Sequence, residues 1–168
     1  MKNHFELFGL TPAYALETES LERSYREIQS QIHPDRHAHA GDAERRASMQ
    51  WATRVNEAYR TLKSPVQRAK YLLEMNGVDV QFETNTRMPA DFLLRQLELR
   101  EALAEAKQPE ALDELLAEVR RQQRQLEQGI AQLIDGTKDY AAAAGEVRKL
   151  MFLDKLAAQI DLAYEGVE

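Results

Sequence analysis

Pro34 does most to restrict how this chain can fold, because it stands where one amphipathic helix must end and another has not begun. Its ring fixes φ and removes a backbone donor, so it cannot continue the preceding helix. It also pushes His33 out of the helical region. Upstream, Leu21, Tyr25, Ile28 and Ile32 recur at helical spacing and form one apolar stripe. Downstream, a long helix from Ala43 to about Lys63 draws its stripe from Trp51 or Ala52, Val55, Tyr59 and Leu62. Two stripes joined by a loop from Arg36 to Gly41 pack as an antiparallel hairpin. The tip of that hairpin presents an imidazole, His33, and a carboxylate, Asp35, on either side of a stiffened turn. Such a turn suits a contact surface better than a core.

Shorter helices flank the hairpin. Asn3 caps His4 to Leu7, which ends at Gly9, and Thr11-Pro12 turns the chain. Thr18 is the expected N-cap of the first hairpin helix, with Glu19 and Glu22 in a first turn where the dipole favours anions. Asp42 is the expected cap of the second. Ser64 caps a helix that begins at Pro65, runs through Tyr71, Leu72 and Leu73, and stops at Asn76-Gly77. The stretch from Gly77 to Met88 is weakly periodic and polar around Glu83-Thr84-Asn85-Thr86, and reads as a linker. The organisation is therefore residues 1–75, a linker over 76–88, and a second module over 89–168.

The second module reads as three helices, Pro89 to Ala106, Pro109 to Ile134 and roughly Lys138 to Tyr164, broken at Pro109 and Asp135-Gly136. The middle stripe is Leu112, Leu115, Val119, Leu126, Ile130 and Leu133. The last is Val147, Leu150, Leu153, Ala157, Ile160 and Tyr164. Three such stripes close as a bundle, which makes the whole chain all-α. The first helix of the three has more apolar residues than one face needs. At about 100° per residue, Phe92, Leu99, Leu103 and Ala106 share a stripe. Leu93, Leu94 and Leu97 fall well off it, beside Glu98, Glu101, Ala104 and Glu105. Phe152 likewise lies roughly 120° or more from the centre of its own helix's stripe. Either the bundle buries both sides of these helices, or they carry an exposed leucine patch fringed by carboxylates, the mark of a protein-binding surface.

Charge and composition narrow the choice of function. The net charge is −6, but the first 75 residues hold 11 basic against 10 acidic residues and the remainder 11 against 18. The second half repels nucleic acid and acidic membranes and favours basic partners. With 0 Cys there is no disulfide, thiolate metal site or thiol nucleophile, which suits a reducing cytoplasm. No apolar run approaches the ~20 residues that cross a bilayer, and Met1 to Glu6 shows no targeting pattern. His33 and His37 are four apart, but Pro34 breaks the helix that would align them, and no acidic or Cys ligand set accompanies them and His39. No phosphate loop or nucleophile motif appears, so neither a resident cofactor nor an enzyme is expected.

The hairpin's second helix ends in Asn56-Glu57-Ala58-Tyr59-Arg60-Thr61-Leu62, followed by Ser64-Pro65 and Arg68-Ala69-Lys70-Tyr71. Together with His33-Pro34-Asp35, this N-terminal part resembles a J-domain. Phe92-Leu93-Leu94-Arg95-Gln96-Leu97-Glu98-Leu99-Arg100-Glu101, Val147 to Leu156 and the opening Phe5-Glu6-Leu7-Phe8-Gly9-Leu10 extend the likeness over nearly the whole chain, to the HscB-type co-chaperones of iron–sulfur cluster assembly.

The resemblance implies a monomeric bacterial-type co-chaperone. It would dock on a DnaK-type heat-shock ATPase, HscA, through His33, Pro34, Asp35, Arg23 and Arg26 and stimulate ATP hydrolysis there. It also implies that Leu93, Leu94, Leu97, Glu98, Glu101, Glu105 and Phe152 bind the cluster scaffold, IscU. Position 94 is Leu where relatives are expected to carry Met, a change that keeps volume and polarity. The helix before the turn, Glu22-Arg23-Ser24-Tyr25-Arg26-Glu27, is less basic than in many J-domains, which favours a specialised partner over general service. The other reading is a generic J-protein for unfolded clients, with the bundle as spacer or dimerisation element.

Asp35 is an ionised acceptor that a partner arginine can grip with two charge-assisted hydrogen bonds, and Pro34 limits the ordering entropy lost on docking. Asp35→Asn is expected to leave the circular dichroism and melting of the protein intact and to remove stimulation of the partner's ATPase. Full stimulation by that variant would refute the assignment.

Overall fold

The computed structural model describes residues 2–32, 39, 41–81 and 87–167. His33, Pro34, Asp35, Arg36 and His37, and the linker residues Glu83 to Thr86, lie outside the described residues. Among the described residues the regular elements are all helical. Among the described residues no helix is long and apolar enough to cross a membrane. The chain forms two compact units, Met1–Leu72 and Leu73–Glu168.

The first unit begins with α1 (His4–Leu7), closed by a reciprocal cap in which the Asn3 side chain accepts from the Glu6 backbone at 2.9 Å. The Glu6 carboxylate accepts in return from the Asn3 backbone N–H. Gly9, at φ +67°, ends that turn in the left-handed region that glycine enters freely, and Phe5 is fully buried. Helix α2 (Thr18–Gln31) and α3 (Asp42–Lys63) follow. Their caps sit one residue earlier than the sequence suggests. Glu17 and Gly41 hold the extended cap conformation, so Thr18 and Asp42 are already inside the first turn.

The α2–α3 pair is antiparallel, as its polar cross-links require: Glu22 meets Tyr59 and Lys63, Tyr25 meets Asn56, and Gln29 meets Asn56. Leu21, Val55, Ala58 and Leu62 are fully enclosed. Tyr59 is not the core residue its spacing implied. Ala58 takes the core position, and Tyr59 lies half-buried with its ring stacked on Tyr25 at 3.8 Å. Ala52 is half-buried while Trp51 is exposed, so Ala52 takes the stripe position.

Helix α4 (Pro65–Met75) starts where Ser64 Oγ accepts from the Gln67 N–H at 3.2 Å. The Arg68 and Tyr71 of the expected motif have structural tasks here. Arg68 donates to the Leu62 carbonyl at 2.7 Å and lies over the buried Tyr14 ring. The Tyr71 hydroxyl accepts from the His4 N–H at 2.9 Å, with its ring stacked on His4.

In the second unit, Gly77 at φ +76° closes α4, and the Val78 N–H returns to the Leu73 carbonyl. Within the stretch assigned to the linker, Val80 is buried, and its carbonyl accepts from Arg148 at 2.8 Å. Three helices then follow: α5 (Ala90–Glu105), α6 (Pro109–Ala131) and α7 (Tyr140–Val167). A π turn, Gln132–Gly136, separates the last two. Helix α7 starts two residues later than its periodicity suggests, because Lys138 takes a left-handed φ of +59° and Asp139 caps the helix by accepting from the Ala142 N–H. Helices α6 and α7 are antiparallel, tied by Gln123 to Asp154 and by Tyr164 to Asp113. Between them lie Leu112, Leu115, Val119, Leu153, Leu156, Ala157 and Ile160, with Leu99 of α5 packed on the same cluster.

This seam sets a stability expectation. Leu153→Ala, at a fully buried site, should cost about 2–5 kcal/mol in denaturant unfolding followed by far-UV circular dichroism. Leu162→Ala, on the exposed side of the same helix, should change stability by less than about 0.5 kcal/mol.

Candidate protein-interaction sites

Each unit offers one candidate surface. In the first, Arg23 and Arg26 are both exposed on α2. The helix that carries them is braced from behind. Tyr25 donates to Asn56 Oδ1 at 2.7 Å, and Gln29 donates to the same oxygen at 2.7 Å. One turn before Tyr25, the Glu22 carboxylate accepts from Tyr59 and lies 3.6 Å from Lys63. The Tyr59 hydrogen bond, aided by Lys63, lowers the Glu22 pKa; the same bond raises that of Tyr59, with Lys63 pulling the other way. These contacts fix the register of α2 on α3 while leaving the arginines free of that face. His33, Pro34 and Asp35, which belong to the same expected surface, lie outside the described residues.

In the second unit α5 resolves the choice left open by its surplus of leucines. Its core stripe packs inward: Leu99 is buried, and Phe92, Leu103 and Ala106 pack against the same cluster. Leu93, Leu94 and Leu97 are turned out, at 44%, 60% and 55% exposure. Glu98, Glu101 and Glu105 are exposed as well. Phe152 of α7 is half-buried and meets the Phe92 ring edge-on at 6.5 Å between centroids. The two aromatic rings therefore bridge α5 and α7, and Phe152 keeps part of its surface in solvent.

The rim of this patch is organised by charges that no single-helix pattern reveals. Arg95 reaches Glu98 at 3.0 Å on its own helix and Glu118 of α6 at 3.2 Å. Glu118 also accepts from Arg121 at 2.7 Å and from Gln122 at 2.9 Å. With Arg121 first, Gln122 next and Arg95 after, these donors hold the Glu118 carboxyl down to about 2. On the opposite flank Arg100 donates to Gln159 of α7 at 2.8 Å. Lys149 stands over the Phe92 ring and pairs with Glu146 at 3.0 Å. Of these, the i,i+3 spacing of Arg95 and Glu98 is visible in the sequence. The α5–α6 and α5–α7 links are not, because they depend on which helices become neighbours.

Comparison with known proteins gives a consistent picture. Residues 3–71 match the DnaJ domain model, and residues 88–161 match the HSCB C-terminal oligomerisation domain model. A co-chaperone protein HscB homolog from Ralstonia nicotianae is 54% identical over 156 residues, covering 91% of this chain and 89% of that protein. A homolog from Azoarcus is 44% identical over 170 residues, covering 99% and 96%. Among solved structures, the chaperone HscB from Vibrio cholerae superposes with a TM-score of 0.87 at 33% identity, covering 99% of this chain and 100% of that one. The human co-chaperone protein HscB gives 0.92 at 26% identity, covering 98% and 83%.

The Glu118 cluster generates a pH prediction. Its folded pKa of about 2 lies below the unfolded value near 4.3. The stabilisation is therefore complete above roughly pH 5 and is lost as pH falls toward the folded pKa. Glu118→Gln should lose on the order of 1 kcal/mol at pH 7, since the partners are partly exposed. The gap between wild type and variant in urea-unfolding midpoint should close as the pH approaches about 2. A constant gap across that range would remove Glu118 from the account.

Proposed function

The chain belongs to the HscB family of J-domain co-chaperones, and from that premise we propose that it is an adaptor between an IscU-type iron–sulfur scaffold and an HscA-type ATPase. The scaffold docks on Leu93, Leu94, Leu97 and Phe152, with Glu98, Glu101 and Glu105 on the carboxylate fringe. The ATPase docks on His33, Pro34 and Asp35, with Arg23 and Arg26 as basic contacts on α2. The co-chaperone supplies no chemistry of its own. It brings the scaffold to the ATPase and accelerates the partner's ATP hydrolysis, in the cytoplasm, to aid cluster transfer. The iron–sulfur cluster is cargo on the scaffold.

The observation that carries this reading is the exposure of three leucines on a helix whose opposite face is already satisfied by its own core. A contiguous apolar surface of this kind is covered by a partner. Its carboxylate fringe and the acidic balance of the second half favour a partner with basic groups around an apolar centre. The exposed arginines of α2 support the other half of the reading, since they suit an acidic surface on the ATPase.

The test uses purified components. The protein and an IscU-type scaffold should form a stoichiometric complex by calorimetry, and the scaffold should act synergistically with this protein in stimulating the ATPase. Changing Leu93, Leu97 and Phe152 together to Ala should abolish the complex with the fold intact by circular dichroism, while stimulation in the absence of scaffold persists. A protein that binds unfolded clients, and the scaffold not at all, would be the generic J-protein instead. Sedimentation of the free protein separates both from a patch that pairs with a second copy of the chain.

A further inference from the structure

Gln96 of α5 is only 4% exposed, yet neither its Nε2 nor its Oε1 has a hydrogen-bond partner. It stands one turn after Phe92 and one before Leu99, within the core stripe. At about 100° per residue it falls on the margin of that stripe nearest Leu93 and Leu97. That margin faces α7: Arg100, one turn on, donates to Gln159 there, and Phe92, one turn back, meets Phe152. Helical spacing therefore puts the amide in the seam between α5 and α7, at the edge of the leucine patch.

An unpaired buried amide gives up its hydration with no hydrogen bond in return, and a leucine or methionine at the same place would carry no such cost. The unit's other buried glutamine shows what a purely structural amide looks like. Gln123 donates to Asp154 at 2.7 Å and accepts from Arg120 at 2.9 Å. Folding satisfies Gln123 and leaves Gln96 unsatisfied. The contrast matches the packing. Helices α6 and α7 share the long interface of this unit, and α5 meets α6 over a much shorter stretch, so α5 is the helix that can shift at least cost.

We propose that Gln96 is a specificity-determining residue of the leucine patch, and that its partner is a main-chain peptide group of the protein seated on Leu93 and Leu97. A carboxamide carries a donor and an acceptor together, the complement of a peptide N–H and C=O. A charged ligand group would be better met by a charged side chain. The amide is already stripped of water in the free protein, so pairing in the complex requires no second desolvation. Docking parts α5 from α7 slightly at Phe152, so that the partner's peptide group, not water, meets the amide. The inference rests on the patch being the scaffold site.

The experiment titrates the cognate IscU-type scaffold into wild type, Gln96→Leu, Gln96→Met and Leu97→Ala by calorimetry, with thermal unfolding in parallel. Gln96→Leu and Gln96→Met should keep or raise Tm and lose roughly threefold to tenfold in affinity, the worth of one net hydrogen bond. If either binds as tightly as wild type while Leu97→Ala is weakened, the inference is overturned and the patch reading survives. If Leu97→Ala binds like wild type, the patch reading itself fails. The amide protons give a readout that a packing role would not move. In 15N-labelled protein the Gln96 side-chain NH2 signals should shift downfield in the complex and gain protection from solvent exchange. Unchanged signals overturn the inference whatever the stability of the variants.

Discussion

A helix docked on a two-helix platform can bury one stripe, and every further apolar residue on it must face solvent or a partner. The second unit is built on that constraint. Helices α6 and α7 enclose Leu112, Leu115, Val119, Leu153, Leu156 and Ile160 between them. Helix α5 adds Leu99 to this cluster and borders it with Phe92 and Leu103. Leu93, Leu94 and Leu97 lie off this stripe and stay largely exposed, so the patch follows from helix geometry as soon as the platform is complete. Leucine is a good helix former, which lets α5 keep its conformation while carrying them.

The first unit meets a different demand, that of holding Arg23 and Arg26 in register without covering them. Its solution is polar. Asn56 accepts from both Tyr25 and Gln29, and the Tyr25–Tyr59 stack sits outside the fully buried layer of Leu21, Val55, Ala58 and Leu62. Ala58 is enclosed, and Tyr59, stacked on Tyr25, braces the flank of the α2–α3 pair. A slip of α2 by one residue would break the Asn56 pair and the stack together, so the position of Arg23 and Arg26 is over-determined. At the far end, Arg68 ties α4 to the Leu62 carbonyl of α3, and Tyr71 ties it to α1.

The helices themselves were legible because apolar residues recur at threes and fours between strong breakers such as Pro65, Gly77 and Pro109. Their first residues were less so. Thr18 and Asp42 are good caps by type, but the cap is whichever residue holds the extended backbone, and Glu17 and Gly41 do. Lys138 could not be foreseen in a left-handed conformation, which is set by the closing of the π turn before it. The leucines and Phe152 were legible as a surplus, since wheel geometry needs no tertiary information. Arg95, Glu118 and Gln96 were not legible as parts of the same surface. An arginine, a glutamate and a glutamine on two amphipathic helices read as solvated polar positions until the helices are placed side by side.

The patch and its rim act against each other, and that opposition sets how firmly α5 is held. Apolar burial fixes α5 through one stripe only, while exposed leucines and an unpaired Gln96 amide both favour a state in which something else covers them. Arg95 and Arg100 supply what the core does not, by reaching Glu118 on one side and Gln159 on the other. Such partly exposed links are individually weak, roughly 1 kcal/mol or less. They bridge helices at the margin of the patch, however, where a small opening would otherwise begin. A partner that supplies apolar surface for Leu93 and Leu97 and basic groups for the glutamates can compete with these links directly. Helix α5 can therefore be ordered in the free protein and still yield a little at the α7 seam on binding, while the α6–α7 platform stays as it is.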